Sequence, residues 1–288
     1  MTAPAFKEAI ADQTDSRPES FSVLGASRVG IVLAHFMQKA GLQPQILWNH
    51  RAAGLSRAEA FVRFKTLTTE LTPALTDSDW IVIAVRDDAL SGVASQLAAL
   101  ITRPRPVKIF HTSGFLDAAV LEPLSRAGAL TGAMHPILSI PTVAQGIRDL
   151  PGAWCGCEGE LQSQLLQLAA RMGVEPLALS ADQKRVIHIA AVFLNNYSVA
   201  LIAAVQQMCT QWQLPADLTT ALLRRLSEQA IENAWDQPLG QALTGPLARG
   251  DYQVVKGHLR FLRAHPELRT LYRQYVKITR QLLKRKAQ

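Results

Sequence analysis

The chain has 288 residues, 48% of them hydrophobic and 18% charged. That length suits two domains, and that composition excludes a disordered or fibrous protein. The net charge of +7 is concentrated at one end: from 256 to 288 there are ten Lys and Arg residues against one acid, Glu267.

Residues 1–19 have no apolar core behind a basic start, so they read as a flexible segment and not as a secretory signal. From 20 to 180 short apolar runs alternate with helical patterns. Residues 21–24, 45–48, 80–85, 107–111, 130–134, 153–157 and 174–179 read as strands. A helix over 27–40 turns Val29, Val32, Leu33 and Phe36 inward, Ser56 with Glu59 forms a capping box that opens another, and 88–101 is a third. Repeated β–α–β units predict a Rossmann-like α/β domain over 20–180 with a mostly parallel sheet.

After residue 181 the strands stop. Helical patterns over 182–214, 215–236, 251–264 and 266–286 predict an all-α second domain, 181–288. The most apolar stretch, 187–205, contains His188, Asn195, Asn196 and Ser198, which would be costly in hydrocarbon, so a buried helix is expected there and not a membrane span. In the last helix Arg269, Arg273, Lys277, Arg280 and Lys284 form a basic stripe beside Leu268, Leu271, Tyr275, Ile278 and Leu282. The stripe reads as a solvated face; no base-reading motif accompanies it to point to nucleic acid.

Cys155, Cys157 and Cys209 are too few for a disulfide framework, and they predict reduced thiols in a cytoplasmic protein. Cys155 and Cys157 have no second pair at metal-binding spacing, so no metal site is expected; in a strand both thiols point to one face.

The chemistry begins at Gly25-Ala26-Ser27-Arg28-Val29-Gly30, which follows the first strand and opens the first helix. A dinucleotide fingerprint needs one glycine for the turn, one for close approach of the pyrophosphate and one for helix–strand packing. Gly25 and Gly30 fill the first and third roles, while Ser27 replaces the second and offers a hydroxyl to a phosphate oxygen. At the end of the second strand, where an acid would hold the ribose of NAD, the chain reads Trp48-Asn49-His50-Arg51. Arg51 can neutralise a 2′-phosphate and Asn49 can hydrogen-bond to it, so the expected cofactor is NADP.

At this point a resemblance enters. The first domain resembles those of pyrroline-5-carboxylate reductases and β-hydroxyacid dehydrogenases. From about residue 20 to the end, the chain is similar to a family of NADP-dependent oxidoreductases with a Rossmann-like domain followed by domain of unknown function 2520. The residues that carry it are Gly25 to Gly30, Val85 to Asp88, His111 to Gly114, His135-Pro136, Lys184 through His188 to Asn196-Tyr197, and above all ALTGPLARGD from Ala242 to Asp251, with His258 after it. It implies a helical second domain of the 6-phosphogluconate dehydrogenase C-terminal type, a homodimer formed through that domain, and an active site between the domains. Ser27, where a glycine is usual, and Arg86, where a proline is common, depart from the family pattern.

Ligands of an open parallel sheet sit beyond the C-terminal strand ends, so Val85, Asp87, His111 and Ser113 are expected at the nicotinamide end. Reduction of a carbonyl or imine needs a proton donor, for which His135, His111 and His188 are candidates. Lys184 and His188 share a helix face, with Asn196 two turns on. In related dehydrogenases a lysine and an asparagine on the equivalent helix hold and protonate the substrate, which implies Lys184 or His188 as acid and Asn196 as the orienting group. Against these roles, His111 and His135 could serve only to shape loops, and His188 could be a buried histidine with a backbone partner. Arg249 reads as a capping ion pair with Asp251 or as a carboxylate ligand. The expectation is an NADP-dependent oxidoreductase of a small, anionic carbonyl, imine or hydroxy-acid substrate; the alternative is a non-catalytic NADP-binding sensor.

Overall fold

The computed structural model describes residues 17–102 and 106–286. Two units divide the chain, Met1–Val192 and Phe193–Gln288. In the first, β1 (Ser20–Leu24), β2 (Gln43–Trp48), β3 (Thr66–Thr68), β4 (Trp80–Ile83), β5 (Lys108–His111), β6 (Leu130–Pro136), β7 (Trp154–Gly159) and β8 (Glu175–Ala178) form one sheet in the order β3-β2-β1-β4-β5-β6-β7-β8. Every neighbouring pair is parallel except β6 and β7, where His135 stands opposite Gly156. Helices α1 (Arg28–Lys39), α2 (Ala52–Ala58), α3 (Asp87–Ala98), α4 (Glu122–Arg126), α5 (Val143–Asp149) and α6 (Gln162–Arg171) connect the strands, and α7 (Ala181–Ala191) follows the last.

Helices cover both faces of this sheet, so its inner strands are apolar on both sides and read as unbroken runs such as WIVI. Successive residues alternate between two cores. Phe21, Val23, Val82 and Phe110 pack with Ile31, Leu33 and Leu165; Leu24, Ile81, Ile83 and Ile109 pack with Leu90, Val93 and Leu97. Burying each such side chain stabilises the fold by roughly 1.5–3 kcal/mol. Cys155 and Cys157 lie in the first core as free thiols.

Two local expectations need correction, a capping box and the end of the flexible segment. The Ser56–Glu59 capping box does not open a helix: α2 already begins at Ala52, which leaves Ser56 inside it and Glu59 beyond its end. The box that forms is at Ser180, whose Oγ accepts the Gln183 N–H while Gln183 Oε1 accepts the Ser180 N–H. Strand β3 carried no apolar signal because it is a short edge strand. Of the expected flexible segment, residues 1–16 lie outside the described residues. Its end is tied down by Arg17 to Asp79 and by Glu19 to Lys108 and Arg171.

The change of pattern near residue 180 matches the last strand, which ends at Ala178, while α7 stays with the first unit. The second unit contains α8 (Ser198–Gln211), α9 (Ala216–Asp236), α10 (Leu239–Ala242), α11 (Tyr252–Phe261) and α12 (Pro266–Lys286), and a π-helical stretch, Val192–Tyr197, precedes α8. The apolar stretch expected to be buried is exposed: Phe193, Leu194 and Val199 are each more than 60% accessible, because nothing among the described residues covers them. Ala181–Gln211 is also long and apolar enough, by length and composition, to cross a membrane. Asp251 caps α11 through the Val254 N–H, and among the described residues Arg249 forms no ion pair with it. The basic face of α12 is partly used in packing, with Arg269 bonded to the Leu259 carbonyl and Arg280 over the Tyr252 ring.

Candidate functional site

The order of strand addition reverses between the parallel neighbours β1 and β4, and the loops beyond their carboxyl ends frame a crevice. Gly25 turns the chain there with φ +106°, and a Cβ on it would lie 2.5 Å from the Ala84 carbonyl oxygen. Gly30 lets α1 settle on the strand, since its Cβ would lie 2.7 Å from that of Ala84. Ser27 has an extended backbone that any residue adopts and caps α1, its Oγ accepting the Gly30 N–H at 3.1 Å. The serine therefore strengthens the helix start, and its hydroxyl proton remains to be donated. The N–H groups of the first turn face the same place, as anion sites at helix starts do. Arg28 points elsewhere, to the Pro141 carbonyl, and Val29 packs against the core.

A cavity of about 850 Å³ opens from this turn and is lined by Ser27, Asn49, Arg51, Arg57, Val85 and Arg86 among others. Arg51 is exposed at the start of α2, and no carboxylate stands at the end of β2. Arg57 bends back over the turn and donates to the Ala26 carbonyl at 3.1 Å. Sequence reasoning missed Arg57 because it started the helix at Ser56; a start at Ala52 puts Arg57 in the last turn, beside the glycine loop. Asn49, expected to bind a phosphate, is partly committed, with one of its two amide protons used. Its Oδ1 accepts the Ala26 N–H and its Nδ2 donates to the Arg51 carbonyl, so it braces the two loops. Arg86 caps no helix through its side chain and pairs with Asp88 at 2.9 Å.

The ends of β4, β5 and β6 bring the second group together. Ser113 Oγ donates to Asp87 at 2.8 Å and accepts the N–H groups of Phe115 and Leu116, which fixes the loop after β5. His111 is fully buried; its Nε2–H donates to the Asp117 carbonyl and its Nδ1 accepts the Ser113 N–H. Burial pulls its pKa down to about 3, so it is a locked neutral brace and not a proton donor.

Lys184 also departs from expectation. It is 1% exposed, and its ammonium donates to the carbonyls of Ser113 and Leu116 and pairs with Glu158 at 3.2 Å. Glu158 in turn accepts the Ala118 N–H at 2.8 Å. Burial lowers the lysine's pKa, opposed by the Glu158 charge. With its three protons committed, Lys184 clamps the loop from below and faces no open space. Beside it Arg185 is paired with Asp117 and Asp182.

His135 donates from Nδ1 to the Thr112 carbonyl at 3.2 Å, and burial lowers its pKa to about 4. His188 is only half-buried, packs near His135 and Phe115, and neither of its ring nitrogens is bonded among the described residues. It is the uncommitted imidazole of this group. Asn196 lies in the π-helical stretch of the second unit, exposed and without a side-chain partner among the described residues.

Two family models match the chain: the Rossmann-like domain over residues 3–136 and the Domain of unknown function (DUF2520) over residues 153–279. These are the domains the sequence resemblance implied. No curated protein matches the chain. Among solved structures, a Bacteroides fragilis protein provisionally described as an NADP oxidoreductase is similar at 18% identity and a TM-score of 0.73, over 92% of this chain and 98% of that one. An imine reductase from a Pseudomonas species is similar at 16% identity and a TM-score of 0.58, over 92% and 94%. The pyrroline-5-carboxylate reductase of Coxiella burnetii is similar at 14% identity and a TM-score of 0.52, over 92% and 99%. At these identities the likeness is one of fold.

Proposed function

We propose that this chain, which joins a Rossmann-like domain to a DUF2520 domain, is an NADP-dependent oxidoreductase acting on a small carbonyl, imine or hydroxy-acid substrate. The observation that carries this reading is the pair Arg51 and Arg57 beside the Gly25 turn, with no carboxylate at the end of β2. The cavity suits a dinucleotide: a Cβ at Gly25 would strike the Ala84 carbonyl and disturb the turn, and the donors around it are backbone N–H groups, a hydroxyl and the guanidiniums of Arg51, Arg57 and Arg86, the last paired with Asp88. Ser27 and the first turn of α1 would hold the pyrophosphate, and Arg51 and Arg57 the 2′-phosphate.

NADPH, when bound, supplies the hydride. The protein's own part is to hold the substrate and move one proton. His188 fits the proton transfer because, of the three clustered imidazoles, it alone has neither ring nitrogen bonded among the described residues. His111, Ser113 and Lys184 keep the loop around it in one shape. Asn196 is assigned to orient the substrate through its exposed amide. The exposed apolar helices of the second unit support a homodimer as the working form.

Turnover tests the assignment. Consumption of NADPH, followed by absorbance over a panel of cyclic imines, oxo acids and hydroxy acids, should appear with at least one class and fall at least a hundredfold in His188→Ala. Cofactor binding with no turnover on any class would favour a non-catalytic sensor instead.

A further inference from the structure

His135 and His188 meet over Gly114. A Cβ at that position would collide with His188 Nδ1 and lie 2.7 Å from His135 Nε2, so only a glycine lets both nitrogens come to this spot. The two rings stand 5.4 Å apart, centroid to centroid, at 74°. The proton positions on His135 follow from its partner. Thr112 offers a carbonyl, which only accepts, so His135 carries its proton on Nδ1 and turns the bare lone pair of Nε2 toward His188.

We propose that Thr112 and His135 form a positioning chain that holds His188 as its Nδ1–H tautomer and leaves His188 Nε2 as the atom that exchanges the substrate proton. The arrangement follows a general rule for acid–base groups, in which the working imidazole is oriented by a second group that is itself held. No hydrogen bond between the two imidazoles closes in this structure, and such bonds commonly tighten only when substrate is present. Burial keeps His135 neutral, with a pKa of about 4, so its lone pair is on offer throughout the physiological range. The charged and titratable groups near His135 include His188, Lys184, Asp87 and His111, the last with both ring nitrogens already bonded. Lys184 is committed to Glu158 and two carbonyls, and Asp87 accepts the Ser113 hydroxyl, which leaves the His188 ring as the neighbour that can donate to the Nε2 lone pair.

The proton balance is simple. In reduction the Nε2–H bond of protonated His188 breaks, its electron pair stays on Nε2, and the proton goes to the carbonyl oxygen or imine nitrogen as the neighbouring carbon is reduced. Solvent then returns a proton to Nε2. In oxidation the same nitrogen removes it.

This inference rests on the oxidoreductase reading for the proton's destination, but its test needs neither cofactor nor substrate. Ring-nitrogen NMR shifts of the full chain should show His188 protonated on Nδ1. His135→Leu should switch it to the Nε2–H form that free histidine favours in water, and Gly114→Ala, which keeps His135 but parts the rings, should do the same. His135→Gln, which puts an acceptor oxygen near the place of Nε2, should retain the Nδ1–H form. An Nε2–H tautomer in the unaltered chain, or an unchanged tautomer in His135→Leu, would overturn it. Failure to bind NADPH would leave these spectra as they are, so the two readings fail separately.

Discussion

Lys184 Nζ and Glu158 Oε1 form a buried ion pair at 3.2 Å, and the same ammonium holds the carbonyls of Ser113 and Leu116. Strand β7, helix α7 and the loop after β5 are thereby fastened at one point, through carbonyls on either side of Gly114, the glycine on which His135 and His188 pack. Removing one partner leaves the other charged and dry, which typically costs about 3–5 kcal/mol. Lys184→Met should lose that much stability in urea unfolding, and adding Glu158→Gln should recover part of it. A loss below about 1 kcal/mol would mean that the pair does not hold the loop.

Arg51 and Arg57 in the cavity give a second prediction. A hydrogen bond to a charged group is worth about 1.5–3 kcal/mol, and 1.4 kcal/mol is tenfold in affinity. Arg51→Ala and Arg57→Ala should each weaken NADPH binding by roughly ten- to a hundredfold and leave NADH binding within about a factor of two. Equal losses for both cofactors would place these side chains on the pyrophosphate instead of the 2′-phosphate.

The buried histidines predict an acid-sensitive fold. From an ordinary 6.5, burial takes the pKa of His111 to about 3 and of His135 to about 4. The unfolded chain therefore binds two protons that the folded chain refuses. Their contribution to stability is complete above pH 6.5, falls as the pH drops through this window, and stops falling near 4 for His135 and near 3 for His111. Each pH unit inside the window costs about 1.4 kcal/mol per histidine. Urea midpoints taken from pH 7 down to pH 5 should decline steadily, and His111→Gln should roughly halve the slope; a flat profile in the unaltered chain would contradict the burial argument.

Much of this was legible in the sequence, and the boundary has a physical cause. The placing of Gly25, Gly30 and Arg51 depends on local geometry, in which a turn meets a helix start and a strand end, and residue type at that spacing reports it. The reading of Ser27 as tolerable survives because its backbone is extended. Arg57 was hidden by a mistaken helix start. The roles of Lys184 and His111 were beyond reach for a different reason. A sequence shows that a side chain can titrate, but not that carbonyls 71 and 68 residues away will consume every proton that Lys184 carries. The reversed direction of β7 is non-local in the same way.

The second unit predicts association. Leu222, Leu226, Ile231 and Trp235 on α9 are all more than half exposed, as are Phe193, Leu194 and Val199 before it. Exposed apolar surface on that scale marks an interaction face, and a stable interface buries about 1,600 Å² in total. With a second copy as the occupant, sedimentation equilibrium should give a dimer at micromolar concentration. A monomer that persists at high concentration would leave these helices without a partner of this kind.

We propose that the crevice beyond β1 and β4, with Arg51 and Arg57 at its rim, takes a dinucleotide carrying a 2′-phosphate. Calorimetric titration of the full chain with NADPH and with NADH, at one ionic strength, tests it most directly. NADPH should bind at least tenfold more tightly, and Arg51→Ala should erase most of the difference. No heat from either cofactor, or a preference for NADH, would contradict the account.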